Sequence, residues 1–145
     1  MIYGLRLVQA HQFKGVRERL PARSPQDVYA FMAPIAAREV VEIFWILALD
    51  AQHKIVRNAP IIIATGTVNS AFAHPREVFR AAIVAGASAV ILVHNHPSGE
   101  PTPSAEDRAL TEQLVAGGKL LGIPVHDHIV IGHERYVSFA ETGLL

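Results

Sequence analysis

The stretch "VILVHNHPSGEPTPSAED", residues 90–107, holds four side chains whose types and spacing could do chemistry. An apolar, β-favouring run ends in His94 and His96, one residue apart. Side chains alternate across a strand, so both imidazoles point to the same side. After seven intervening residues, Ser104 and Asp107 read as the N-cap and N3 positions of a helix, together on its first turn. The intervening "PSGEPTP" carries three prolines and a glycine. Such a stiff, turn-rich loop could fold the helix start back onto the strand end. Two imidazole nitrogens and a carboxylate would then converge, the three-ligand set of a catalytic zinc with a fourth position for water.

Spacing alone leaves simpler readings open. Two surface histidines meet His-x-His by chance, and Ser104 with Asp107 is a competent capping pair with no further role. Asn95 between the histidines also mimics an HNH nuclease. That layout needs another histidine in the following helix, and residues 104–115 contain none.

These residues need elements to position them. "SPQDVYAFMAPIA" starts a helix with Ser24 as N-cap, Pro25 at N1 and Asp27 at N3. Val28, Phe31, Met32 and Ile35 share a face, and Pro34 predicts a kink or an early end. "EIFWILALD", residues 42–50, is a dense apolar strand. A turn at "AQH" leads to a return strand interrupted near Asn58-Ala59-Pro60. His74-Pro75 opens a helix with Val78, Ala81, Ala82 and Ala85 as its stripe, ending at Gly86. "SAVILV" is a second buried strand. Ser104 opens the next helix, with Leu110 and Leu114 on one face and a stop at Gly117-Gly118. "IPVHDHIVIG" and "RYVSFA" read as two last strands. Mixed strands and helices favour an α/β (α+β) fold, a three-layer αβα sandwich over a purely parallel sheet.

Composition narrows the chemistry. The 145 residues suit one domain, and half are hydrophobic. No apolar run is long enough to span a membrane, and the N-terminus lacks the pattern of a secretory signal. There is no cysteine, so thiol nucleophiles, disulfides and thiolate metal sites are excluded, and the expected location is cytoplasmic. Any metal must be held by His, Asp or Glu. The net charge is zero, which argues against strong nonspecific DNA binding. Residues 1–23 are nevertheless basic, carrying Arg6, Lys14, Arg17, Arg19 and Arg23 against Glu18 alone, and read as a solvated arm or edge strand.

His-x-His, seven residues, Ser, two residues, Asp is the JAMM/MPN+ metalloprotease motif, and residues 94–107 match it in full. "HNHPSGEPTPSAED" with the later "DHIVIG" and "YVSFAETGLL" resembles the RadC group of that superfamily. "SPQDVYAFM", "EIFWILALDAQHKIV", "GTV", "HPREVFRAAI" and "ASAVILVHNHPSG" are similar to RadC-type segments in the same order. The resemblance covers about residues 24–145, read as one domain, with no room before it for the helix-hairpin-helix region that RadC-type proteins often carry.

This resemblance implies a JAMM/MPN-like, cytidine-deaminase-like αβα sandwich with a mixed sheet. It implies a zinc held by His94, His96, Asp107 and a water, and an upstream glutamate as general base. Glu39 and Glu42 are both candidates; the frame of Glu, apolar run and Leu-Asp favours Glu42. The Ser104 hydroxyl carries over as a donor near the oxyanion while still capping its helix. The implied activity is that of a zinc-dependent metallopeptidase or isopeptidase acting on a protein or peptide. Alternatives are a zinc-holding scaffold that pairs through exposed sheet edges, with itself or another protein, and a DNA-repair association by family label. Each histidine ligand should also hydrogen-bond through its other nitrogen, to partners the sequence does not name. Asp127 and His128 are expected as buried structural residues or as supports behind the site, with His126 facing out. His11, His53, His74 and His133 receive no role.

Overall fold

A computed structural model describes residues 18–66 and 73–145. His11 and most of the basic arm lie outside the described residues. Among them are three helices, α1 (Pro25–Ala36), α2 (Pro75–Val84) and α3 (Ala105–Leu121). Five strands, β1 (Ile43–Leu49), β2 (Ile61–Thr65), β3 (Ala89–Asn95), β4 (Val125–Ile131) and β5 (Tyr136–Ser138), form one sheet in the order β2-β1-β3-β4-β5. The β3–β4 pair is parallel and the other pairs are antiparallel. No described helix is long and apolar enough to cross a membrane.

The sheet is the middle layer because β1 and β3 are buried along their whole length. Alternation splits their side chains between two cores. Trp45, Leu47, Leu49, Ile91 and Val93 pack against Val28, Met32 and Ala36 of α1. On the other face, Phe44, Ile46, Val90 and Leu92 pack against Val78, Phe79 and Ala82 of α2 and Leu114 of α3. This is the three-layer sandwich with a mixed sheet that the sequence predicts.

Local signals set the helix starts. Ser24 Oγ accepts from the Asp27 N–H at 3.1 Å, with Pro25 in the first turn. His74 caps α2, its Nδ1 accepting from the Arg76 N–H at 3.0 Å. Pro34 lies inside α1, which ends two residues later. The predicted stop of α3 is corrected. The helix runs through Gly117 and Gly118 and ends where Gly122 turns left-handed, at φ 72°. Gly118 is a packing position: a Cβ there would lie 2.5 Å from the Ile123 carbonyl. The interruption before β2 is a short 3₁₀ turn, Val56–Asn58. The described end of the arm runs beside the chain leading into that turn. Pro21 bridges Lys54, and the Leu20 carbonyl accepts from the Ile55 N–H at 2.8 Å.

Candidate metal centre

The site forms where β1 begins and β3 ends, because these strands are antiparallel with Phe44 opposite His94. Glu42 immediately precedes β1, and His94 is the penultimate residue of β3. His94 is buried, its ring stacked on Phe44 with centroids 5.9 Å apart. His96 follows the strand, tied by its N–H to the Ile131 carbonyl at 2.9 Å. The loop then turns at Gly99, whose φ of 93° suits glycine. The Gly99 carbonyl accepts from the His133 N–H at 2.8 Å, and Glu100 pairs with Arg135 at 2.9 Å. These contacts fasten the loop to the β4–β5 turn and bring the start of α3 back to the strand end. There Ser104 and Asp107 form a reciprocal capping box: Ser104 Oγ accepts from Asp107 N–H at 3.0 Å, and Asp107 Oδ2 accepts from Ser104 N–H at 2.8 Å.

Capping leaves the Asp107 carboxylate facing both histidines. His94 Nε2 is 3.3 Å from Oδ1, and His96 Nε2 is 3.2 Å from Oδ2. The two Nε2 atoms are 3.0 Å apart. A carboxylate oxygen of Glu42 joins them, with the ligand atoms of Glu42, His94 and His96 all within 4.8 Å of one another. Ser104 is exposed at the rim. Glu39 lies with His96 along a separate cleft beside α1 and is outside this cluster.

Hydrogen bonds behind the rings decide their tautomers. Thr111 donates its hydroxyl hydrogen to the Asp107 carbonyl at 2.7 Å, so its oxygen must accept from His128 Nδ1, 2.6 Å away. Nε2 of His128 is then the acceptor for His94 Nδ1–H at 2.7 Å. His96 Nδ1–H donates to the Glu100 carbonyl at 2.8 Å. Both Nε2 atoms therefore present lone pairs to the cluster. Burial, and next the charge of His94, hold the His128 pKa well below its usual value, which keeps this ring neutral in the chain.

Two imidazole lone pairs and two carboxylates now converge with no donor among them. Such a set calls for a cation, and Glu42 Oε2 is a buried oxygen with no hydrogen-bond partner among the described residues. The residues fit a metal ion of the kind that imidazole and carboxylate hold. The electrostatics agree. Burial pushes Asp107 up, but its close contacts with the His94 and His96 rings, the charge His94 would carry when protonated, and the Ser104 N–H together take it well below the carboxylate range. Burial raises Glu42 above its usual value, with His94 and His96 opposing and Asp107 assisting. Burial would lower His96, yet its hydrogen bonds to Asp107 and the Glu100 carbonyl, and the charges of Asp107 and Glu42, raise it. A proton on His96 is the smallest cation that answers the same demand.

Thr111, Glu100 and Asn95 carry no signal at the level of motif, because their contacts depend on elements meeting in space. Asp127 is an anchor whose carboxylate is used up by His128 N–H, Ala140 N–H and the Ser138 hydroxyl, at 2.7, 2.9 and 2.6 Å. His126 lies at the surface beside the exposed His53, while Asp127 and His128 are buried. The register of β4 on β3 slips between Val125 and Asp127, and the half-buried His126 ring meets His53 with centroids 4.8 Å apart.

A family model described as a RadC-like JAB domain matches residues 22–144. A UPF0758 protein of Methanosarcina acetivorans is 48% identical over 122 residues, covering 84% of this chain and 52% of that protein. A UPF0758 protein of Symbiobacterium thermophilum is 45% identical over 127 residues, covering 88% and 53%. One from Pelobacter propionicus is 49% identical over 104 residues, covering 72% and 44%. The chain spans about half the length of the curated relatives it matches. With a family model covering most of its length and relatives this similar, the chain belongs to the RadC-like JAB domain family.

Proposed function

We propose that this domain is a zinc-dependent hydrolase of peptide or isopeptide bonds. The observation that carries the proposal is the cluster of acceptors without a donor where β1 begins and β3 ends, with the orphaned Glu42 oxygen beside it. His94, His96 and Asp107 would hold the ion. When bound, zinc would supply a Lewis acid for the scissile carbonyl and a water whose pKa is lowered to about 7.

The chain's own residues supply the rest. Glu42 Oε2, with no competing hydrogen bond, takes a proton from the attacking water and delivers it to the leaving amine. Its burial raises its proton affinity toward that task. Ser104 Oγ spends only an acceptor position on capping, which leaves the hydroxyl hydrogen for the developing oxyanion. Asp107 contacts both Nε2 atoms directly, which favours it over Glu42 as the carboxylate ligand. The His128–Thr111 relay holds His94 in the tautomer a ligand needs. A cysteine-free chain suits the reducing cytoplasm, where we place the protein.

The test pairs metal content with chemistry. Protein purified without an affinity tag is assayed for zinc by mass spectrometry, beside His96→Ala. Both are then offered linear peptides and peptides branched through the lysine side-chain amine. Zinc in the wild type, lost in the variant together with cleavage, supports the proposal. A wild type that takes up no zinc when it is supplied overturns it. Zinc held without cleavage of any substrate favours a scaffold role instead.

A further inference from the structure

Phe44 and His94 are the last residues paired between β1 and β3 on the side of the metal centre. Beyond them, the side chain of Asn95 bridges the two chains. Its Oδ1 accepts from the Ile43 N–H at 2.7 Å, and its Nδ2 donates to the Val41 carbonyl at 3.0 Å. The carboxamide thus grips the backbone on both sides of Glu42. The Glu42 carbonyl is held separately, accepting from the Gly66 N–H at 2.9 Å. Glu42 itself lies outside any helix or strand. These three bonds do for its backbone what a ladder does within a sheet.

The chemistry of this grip is specific to asparagine. One end must accept and the other donate, in the geometry of a primary amide. Aspartate could only accept, and an apolar residue could do neither. Asn95 is 4% exposed, so an unmet polar group there would be costly. Neighbouring strand residues point to opposite faces, so Asn95 turns away from the imidazole of His94. Among the described residues, no hydrogen bond aims Glu42 Oε2 from its own end. The direction of that carboxylate is therefore set by the backbone beneath it.

We propose that Asn95 is the positioning residue for Glu42: by clamping Val41 and Ile43, it holds the Glu42 carboxylate against the His94–His96 pair. The residue between the two histidines thereby couples the strand that carries them to the segment that carries the glutamate. Its catalytic consequence rests on the hydrolase reading; the clamp itself does not.

The experiment uses the zinc-loaded chain and the best-cleaved peptide from the substrate screen, with Asn95→Ala and the isosteric Asn95→Asp. Zinc content should match the wild type in both. Hydrogen exchange at the Ile43 amide should speed up about tenfold in Asn95→Ala, as the loss of one buried hydrogen bond predicts. In that variant kcat should fall about 10- to 100-fold with KM unchanged, the effect of a misplaced catalytic group. Adding Asn95→Ala to Glu42→Gln should cost nothing more. Unchanged Ile43 protection overturns the clamp. A full further loss in the Glu42→Gln background, or loss of zinc along with kcat, overturns the assignment to Glu42. If Asn95→Ala fails to fold, Asn95→Asp, which keeps an acceptor for the Ile43 N–H but loses the donor to the Val41 carbonyl, is read by kcat, zinc content and the Glu42→Gln background instead, and an unchanged kcat there overturns the clamp. A zinc-loaded wild type that cleaves nothing overturns the hydrolase reading alone, and Ile43 exchange with zinc retention still decides the clamp.

Discussion

His94 Nδ1 and His128 Nε2 lie 2.7 Å apart on the adjacent parallel strands β3 and β4, and Thr111 closes the line from α3 at 2.6 Å from His128 Nδ1. Because Thr111 also donates to the carbonyl of Asp107, this buried relay joins two of the proposed ligands through protein. It assigns the proton on each ring and so decides which nitrogen of His94 faces the metal centre. Partners of this kind commonly matter as much as the ligands they orient.

Replacing His128 should therefore weaken metal binding without removing a ligand. His128→Phe keeps an aromatic ring to stack on Phe139, whose centroid lies 4.6 Å from that of His128. Zinc affinity, measured by competition with a chromophoric chelator, should drop about 10- to 100-fold. An unchanged affinity would show that the relay does not orient His94.

Glu42 and His96 should separate chemistry from metal. Glu42→Gln should retain zinc and lose about 100- to 10,000-fold in kcat on any cleaved substrate. His96→Ala should lose both. Zinc should also raise the melting temperature of the wild type in proportion to its occupancy, because it binds the folded state. In His96→Ala that shift should vanish. Glu42→Gln losing zinc as His96→Ala does would make Glu42 a ligand rather than a base.

Gly118 should not tolerate a side chain. A methyl group there meets the Ile123 carbonyl at 2.5 Å, backbone that cannot swing aside. Gly118→Ala should destabilise by about 1–3 kcal/mol despite the helix propensity gained. Urea unfolding would read this directly, and an unchanged midpoint would mean that α3 can shift on β4.

Asp50 offers a test by pH far from the metal centre. Its Oδ1 accepts from Gln52 N–H at 2.8 Å and Lys54 N–H at 3.0 Å, and Oδ2 pairs with Arg19 at 3.0 Å. The Lys54 hydrogen bond first, with the Arg19 and Gln52 contacts, lowers its pKa below 3.8. A carboxyl depressed on folding contributes its stability above the unfolded pKa and loses it as pH falls through the folded value. The gap in urea midpoint between wild type and Asp50→Ala should be full at about pH 6 and shrink below about pH 4. A gap that does not change with pH would assign the effect to packing alone.

Much of this protein is written locally. Ser24 with Pro25, and Ser104 with Asp107, mark helix starts through hydrogen bonds spanning three residues. The apolar runs of β1 and β3 announce a buried sheet because a strand covered on both faces has no polar side to show. The spacing of His94, His96, Ser104 and Asp107 puts the proposed ligands within two adjoining elements and one loop. What lies outside such spans was settled only by tertiary structure. The stop of α3 moved from Gly118 to Gly122 because the approach of Ile123, not helix propensity, decides what Gly118 does. His126 meets the exposed His53 where β4 slips its register on β3, a property of the pair of strands. Likewise the bonds of His128 to His94, of Thr111 to His128 and of Asn95 to Ile43 span 34, 17 and 52 positions of chain. They exist only once the sheet and α3 have met. Short-range order is carried by propensity and capping; the aim of a catalytic group is carried by contacts between elements, and those depend on the whole packed fold.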